Sequence, residues 1–286
     1  MSSEGQEVLK KLLNVKEKIN LMDIGAACIS EIPVYKKLFD ESLAHLHAFE
    51  GDTRQVEKIK EMYGENVTVF NDFLSDGTEK TLYLASAASG MTSLLKPDLA
   101  ALKFFNGFEL FGQIYNTESI QTKRLDDVSE IPLIDFLKMD IQGSELSVLE
   151  NGLLTLKDCL AIQLEISYIC LYENQPTFGE IDIWMRAHGF APHCFLDVKK
   201  WSIAPTIVNN DFRVPLNQLL ESDIVYIKNP LKFSDLNDTQ LKKMALIAHY
   251  CFSSFDLCVH ALLELIGRGS IGPEIHQEYL KSFAAA

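Results

Sequence analysis

The stretch from Leu133 to Asn151, LIDFLKMDIQGSELSVLEN, constrains this chain more than any other. It predicts a buried strand over Leu133 to Ile141, a tight turn at Gly143, and a helix opening at Ser144 with Glu145 in its first turn. A strand covered on both faces should be almost wholly apolar, so Lys138 and Asp140 near its carboxyl end break the pattern. Strand side chains alternate, which sends both charges to one side, and in open α/β sheets ligands sit just beyond the carboxyl ends of the strands. Either these charges do chemistry, or Lys138 pairs with Asp140, Glu145 or a neighbouring carboxylate and merely holds the turn.

The preceding segments read as strands alternating with helices. Ile19 to Ile24 is short, apolar and closed by Gly25, and in the following AACISEIPVYKKLF Pro33 suits the first turn of a helix. A glycine at the end of a first strand lets a ligand approach the backbone, where the next helix offers its N–H groups. By itself D-x-G-A is a weak sign, since such a glycine is more often only a turn residue. A second strand, His45 to Glu50, ends in an acid near the ~20-residue spacing at which nucleotide-binding folds place a carboxylate on ribose hydroxyls. Equally, Glu50 or Asp52 would cap the helix Thr53 to Met62. Asn66 to Asn71 is a third strand with Asp72 at its exit, Asp76-Gly77 marks a turn, and TLYLAS returns as a strand. Residues 85–121 are too long for a plain connection and read as an irregular lid or substrate insertion.

Beyond the organising strand, Leu160 to Ser167 is again buried with one misfit, Glu165. Asp140 and Glu165 are therefore plausible neighbours at one sheet edge, a pair that could bind a divalent metal, share a proton or clamp Lys138. No residue spacing marks a metal site, so metal dependence stays open. A helix from Phe178 to His188 stopped by Gly189, a strand Phe190 to Val198 and a last strand Asp223 to Lys228 complete the α/β pattern. His188 and His193 read as packing or surface residues. Two amphipathic helices, Asp238 to Tyr250 and Phe252 to Ile266, would cover the sheet or form a homodimer contact. Residues 1–18 suggest a lead-in helix with Val8, Leu9, Leu12 and Leu13 as its apolar stripe. The expected organisation is thus an N-terminal helix (1–18), one α/β domain (19–229) carrying the insertion, and a helical extension (230–286).

Charge and composition narrow the function. A formal net charge of -14 over 286 residues argues against a nucleic-acid partner, because phosphate binders need Lys and Arg. Met244 to Ile266 contains too many polar groups to span a membrane, and the charged N-terminus lacks the apolar run of a signal peptide. The six cysteines, Cys28, Cys159, Cys170, Cys194, Cys251 and Cys258, lie in apolar runs without zinc spacing, as in a reduced, cytoplasmic protein.

Several of these motifs, in the same order, also resemble a family. KMDIQGSE (Lys138 to Glu145), the run from Gln163 to Phe190, DIGA (Asp23 to Ala26), TLYLA with TSLLKP (Thr92 to Pro97), R-L-D-D and SDIVYIK are similar to those of FkbM-type S-adenosylmethionine-dependent methyltransferases. The resemblance covers roughly residues 19–229. It implies a class I methyltransferase fold, a Rossmann-like, mostly parallel seven-stranded sheet with helices on both faces and an antiparallel last hairpin strand, here followed by a C-terminal helical extension. It also implies S-adenosylmethionine as cofactor, with Asp23, Gly25 and Ala26 at its methionine end, Glu50 on its ribose, Asp72 near its adenine and Asp140 facing the transferring methyl. The acceptor it implies is a hydroxyl of a sugar, glycan or related metabolite. In that scheme Asp140 is base or hydroxyl orienter, Lys138 tunes it, and Gln142, Glu145 and Glu165 stand behind it. Many family sequences carry a second glycine in the first loop and Glu in the fourth-strand motif, where this chain has AACIS and Gln142. A catalytically silent binding or assembly module on the same fold is the alternative. A dinucleotide oxidoreductase is disfavoured because G-x-G-x-x-G is absent.

Overall fold

The computed structural model describes residues 9, 13, 15, 17–26, 32–51, 53–86 and 89–284. In chain order its strands are β1 (Ile19–Ile24), β2 (Ala44–Phe49), β3 (Val67–Phe70), β4 (Glu79–Ala85), β5 (Ile114–Gln121), β6 (Phe136–Met139), β7 (Ala161–Ser167), β8 (Phe190–Trp201) and β9 (Gln218–Lys228). All but β4 and β5 form one seven-stranded sheet in the order β3-β2-β1-β6-β7-β9-β8. Strands β3, β2, β1, β6 and β7 run parallel, while β9 is antiparallel to both β7 and β8. The order reverses between β1 and β6, and that switch point is where an open α/β sheet leaves a crevice at the carboxyl ends of its strands. This is the class I methyltransferase architecture.

Register turns the strand sequences into rows across one sheet face. Leu21, Leu46, Phe136, Ala161 and Ile227 form one row. Two residues on, Asp23, Ala48, Lys138, Gln163 and Val225 form the next row on that face. Between them and the rim, Ile24, Phe49, Met139, Leu164 and Ile224 pair across the opposite face. One residue further lie Gly25, Glu50, Asp140, Glu165 and Asp223, so the first face passes from apolar to charged within four residues.

The helices cover both faces. They are α1 (Lys36–Asp40), α2 (Thr53–Tyr63), α3 (Leu99–Phe104), α4 (Phe108–Phe111), α5 (Glu145–Glu150), α6 (Phe178–Ala187), α7 (Asp238–Tyr250), α8 (Phe255–Gly267) and α9 (Ile275–Ala284). Leu241, Met244 and Ile247 of α7, Leu262 and Leu265 of α8 and Tyr279 of α9 share a buried core with Leu21, Leu46, Phe136 and Ala161. On the other face Val148 and Leu149 of α5 and Ile181 and Met185 of α6 pack with Ile24, Phe49, Met139 and Leu164. Asn237 and Gln240 form a reciprocal capping box that starts α7, and Thr177 with Glu180 does the same for α6.

Several expectations are corrected. The organising strand is shorter than Leu133 to Ile141, because Leu133 is half exposed and the chain turns after Met139. The segment 85–121 is not irregular: it holds α3, α4 and β5, and β5 pairs antiparallel with β4 in a separate two-stranded ribbon. The second C-terminal helix starts at Phe255 rather than Phe252, since Ser253 takes a left-handed φ of 52°, and α9 was not foreseen. Most of the expected helix over 1–18 and most of AACIS lie outside the described residues, as does Asp52. Of that helix's stripe, Leu9 and Leu13 are described, and both are fully buried.

Candidate functional site

The ends of β1, β2 and β6 are tied by backbone bonds. The Asp140 N–H donates to Ile24 O at 3.1 Å, the Gly25 and Ala26 N–H groups both donate to Phe49 O at 3.0 and 3.2 Å, and the Glu50 N–H donates to Phe70 O at 3.0 Å. Gly25 has a φ of +83°, and a Cβ there would stand 2.1 Å from the Asp140 carbonyl oxygen. Only glycine permits that approach, so Gly25 is what lets β1 and β6 close on one another at the rim. Gly25, Ala26, Glu50 and Asp140 are thus gathered along one edge, and Glu50 is 8% exposed.

One row inward, Asp23 lies beside Lys138. Its Oδ1 is 3.6 Å from the ammonium, an ion pair that leaves this buried oxygen without a hydrogen bond among the described residues, while Tyr35 donates its hydroxyl to Oδ2. The partner of Lys138 is therefore Asp23 rather than Asp140 or Glu145, because register sets Lys138 directly across from Asp23. Burial pushes the Lys138 ammonium down, but Asp23, then Asp140 and Asp223, outweigh it and hold its pKa above the usual lysine range. Burial, then Asp23 and Tyr63, keep the Tyr35 hydroxyl protonated.

Asp140 and Glu165 are brought together, with Gln142 between them. The Gln142 Nε2 donates to Asp140 Oδ1 and to Glu165 Oε2, each at 2.8 Å, and its Oε1 accepts from the Tyr172 hydroxyl at 2.8 Å. Lys199 donates to Glu221 at 2.8 Å and to Glu165 at 3.4 Å. Burial, then Asp140 and Glu221, raise the Glu165 pKa against the pull of Lys199. Behind the turn, Oε1 of the buried Glu145 accepts from the N–H groups of Ile141 and Gly143 at 3.1 and 3.2 Å. Burial pushes that carboxyl up to about 7 in spite of these bonds. Among the described residues no group of three or more His, Cys, Asp or Glu side chains is placed to hold a metal ion.

Asp72 lies further along the rim, past β3, and pairs with Lys123 at 2.9 Å. Beside the Gly143 turn, a cavity of about 140 Å³ is lined by Ser75, Lys80, Leu95, Ser144, Ser147 and Asn174, among others. Sequence reasoning did not single out Tyr35, Gln163, Tyr172, Lys199, Glu221 or Asp223. Gln163 carried a usable signal, since it stands two residues before Glu165 in an otherwise apolar strand. Tyr172 and Lys199 carried none, because they come from a loop and from an amphipathic outer strand. No helix among the described residues is long and apolar enough to cross a membrane.

The sheet order and the crevice at its switch point define a class I methyltransferase fold. Residues 23–192 match the model of the methyltransferase FkbM domain, and the chain belongs to that family. No curated protein sequence matches it. Among solved structures it is similar to a precorrin-6y C5,15-methyltransferase from Geobacter metallireducens GS-15, at 14% identity and a TM-score of 0.33, over 78% of this chain and 88% of that one. It is also similar to TrmK of M. capricolum bound to S-adenosyl-homocysteine, at 11% identity and a TM-score of 0.36, over 95% and 99% of the two chains. For the magnesium protoporphyrin IX methyltransferase of Synechocystis PCC 6803 with bound SAM the values are 10%, 0.36, 79% and 78%. Likeness at this level says nothing of the acceptor.

Proposed function

We propose that the chain is an S-adenosylmethionine-dependent methyltransferase that methylates a hydroxyl of a sugar, glycan or related metabolite. The observation that carries this reading is the polar rim: Gly25, Glu50 and Asp140 stand one residue past the registered trio Ile24, Phe49 and Met139, at the switch point of the sheet. The donor set fits a cationic cofactor. Asp23, Asp140 and Glu221 outnumber Lys138 and Lys199 there, while burial raises the pKa of Glu145, Glu165 and Asp223, and Asp23 Oδ1 is buried with no hydrogen bond among the described residues. When bound, S-adenosylmethionine supplies an electrophilic methyl carbon on a sulfonium centre.

Asp23, Gly25 and Ala26 hold the methionine end in this reading, Glu50 the ribose hydroxyls, and Asp72 flanks the adenine. Asp140 orients the acceptor hydroxyl and takes its proton, with its Oδ1 fixed by Gln142 and Oδ2 left to meet the acceptor. Lys138, one row inward on the same face, sets its positive charge beside Asp140. Methyl transfer is an in-line displacement, so positioning by these side chains supplies most of the acceleration.

Calorimetry with S-adenosylmethionine and with NAD tests the class. Binding of the first alone supports the methyltransferase; binding of neither supports the silent module. Glu50→Ala should weaken S-adenosylmethionine binding roughly tenfold or more with the fold intact, by loss of charge-assisted hydrogen bonds worth about 1.5–3 kcal/mol. An unchanged dissociation constant removes Glu50 from the ribose. Radiolabelled methyl transfer to a panel of sugars, glycolipids and small phenols identifies the acceptor, and Asp140→Asn should lower turnover on it more than cofactor affinity.

A further inference from the structure

Gln142 is held on every side. Its φ of 57° is a left-handed conformation uncommon outside glycine, and Ser93 steadies it by donating to its carbonyl oxygen at 2.7 Å. Its side-chain amide has one accepting end and one end with two donors. The Tyr172 hydroxyl occupies the accepting end, which turns the NH₂ toward Asp140 and Glu165. Rotated the other way, the amide would set its oxygen against two carboxylates. Tyr172 is 3% exposed, and burial, then Glu165, Glu221, Glu145 and Asp140, keep its phenol protonated and so a constant donor.

One of these holds comes from the segment 91–98, and the other rests on it. Ser93 belongs to it, and the loop that carries Tyr172 is stitched to it: Glu173 N–H donates to Lys96 O at 2.7 Å, Asp98 N–H to Leu171 O at 2.9 Å, and Lys96 pairs with Glu173 at 2.6 Å. Resting on the reading of Asp140 as the acceptor-facing carboxylate, we propose that Tyr172 and Gln142 are positioning residues. They fix Asp140 Oδ1, leave Oδ2 for the acceptor hydroxyl, and make that alignment depend on the seating of residues 91–98. Asp140 Oδ2 accepts no hydrogen bond among the described residues, as an acceptor-facing oxygen should. The amide also gives a neutral, donating link between two acids where a carboxylate at position 142 would add a third.

Gln142→Glu and Tyr172→Phe test this. The charged groups around position 142 are Asp140 and Glu165, then Glu145, Lys138, Lys199, Glu221 and Asp223, with Tyr172 as the neutral donor. Thermal melting from about pH 5 to pH 8 needs no acceptor. Gln142→Glu should melt below the wild type at the alkaline end and approach it at the acid end, where the new carboxyl takes a proton and donates again. A deficit that does not change with pH overturns the bridge. Tyr172→Phe removes only the hydroxyl. With radiolabelled S-adenosylmethionine and a panel of methyl glycosides, uronic acids and free hexoses, it should cut kcat roughly tenfold or more, while the Kd for S-adenosylmethionine by calorimetry stays within about twofold. An unchanged kcat, or a loss matched in Kd, overturns the positioning role. A wild-type protein that binds no S-adenosylmethionine overturns the underlying reading and the catalytic role with it. That failure is separable, because the pH-dependent melting deficit of Gln142→Glu would persist.

Discussion

Two rows on one face of the sheet share their strands and little else. The row Leu21, Leu46, Phe136, Ala161 and Ile227 is buried under α7 and α8 and is wholly apolar. Four residues further along the same strands, roughly 13 Å away, the row Gly25, Glu50, Asp140, Glu165 and Asp223 carries four acids. The step between them is no retreat into solvent, since Asp23 and Gln163 midway are each 3% exposed. Desolvated polar groups are costly, so the carboxyl half is kept for something other than stability and leans on the apolar half to exist. The fold's strength and the site's chemistry occupy opposite ends of one surface.

The largest test of that division lies in the apolar row. Phe136 is fully buried and meets Phe252 edge-on at 5.4 Å. Phe136→Ala should cost about 3–5 kcal/mol in urea unfolding, while the folded fraction binds S-adenosylmethionine as before. A loss below about 1 kcal/mol would mean that this row does not anchor the sheet.

The next effect is smaller and depends on pH. Glu145, behind the rim turn, has its carboxyl raised from 4.5 to about 7 by burial. Below the ordinary value both folded and unfolded chains hold the proton. As pH rises from there toward 7 the unfolded chain releases it first, so stability is lost across that window and the loss is complete above it. Glu145→Gln removes the titration, and its carbonyl oxygen can accept from Ile141 and Gly143 as Oε1 does now. Wild-type stability relative to this variant should fall by on the order of 3 kcal/mol between about pH 4 and pH 8. A flat difference would show that the turn holds its acid without strain.

How much of this the sequence disclosed follows from how each residue signals. Lys138, Asp140 and Glu165 were legible because a charge in a buried strand contradicts its surroundings, and period-two alternation placed them on one face. The Asp23–Lys138 pair was not, since it depends on the register of two strands far apart in the chain. Strand β5 (IYNTESIQ) escaped notice because it is largely exposed and carries no apolar alternation. Helix α9 was hidden behind Gly267, Gly269, Gly272 and Pro273, residue types that interrupt a helical pattern. Tyr172 and Lys199 became site neighbours only through folding, as loop and outer-strand residues facing acids from other strands.

The smallest effect bears most directly on why the polar half exists. Lys138 Nζ and Asp23 Oδ1 are 3.6 Å apart, the Asp23 side chain almost wholly buried and the Lys138 side chain about one-fifth exposed. Lys138→Met leaves Asp23 without its cation and should cost about 2 kcal/mol, a figure reduced for the part-exposed lysine. Adding Asp23→Asn removes the stranded charge while its amide oxygen can still accept from Tyr35. If the charged row serves binding rather than stability, the double variant should regain most of that loss in chemical denaturation and still bind S-adenosylmethionine more weakly than the wild type. A double variant less stable than Lys138→Met alone would show that the pair itself holds the sheet together, and the division between the two rows would then be wrong.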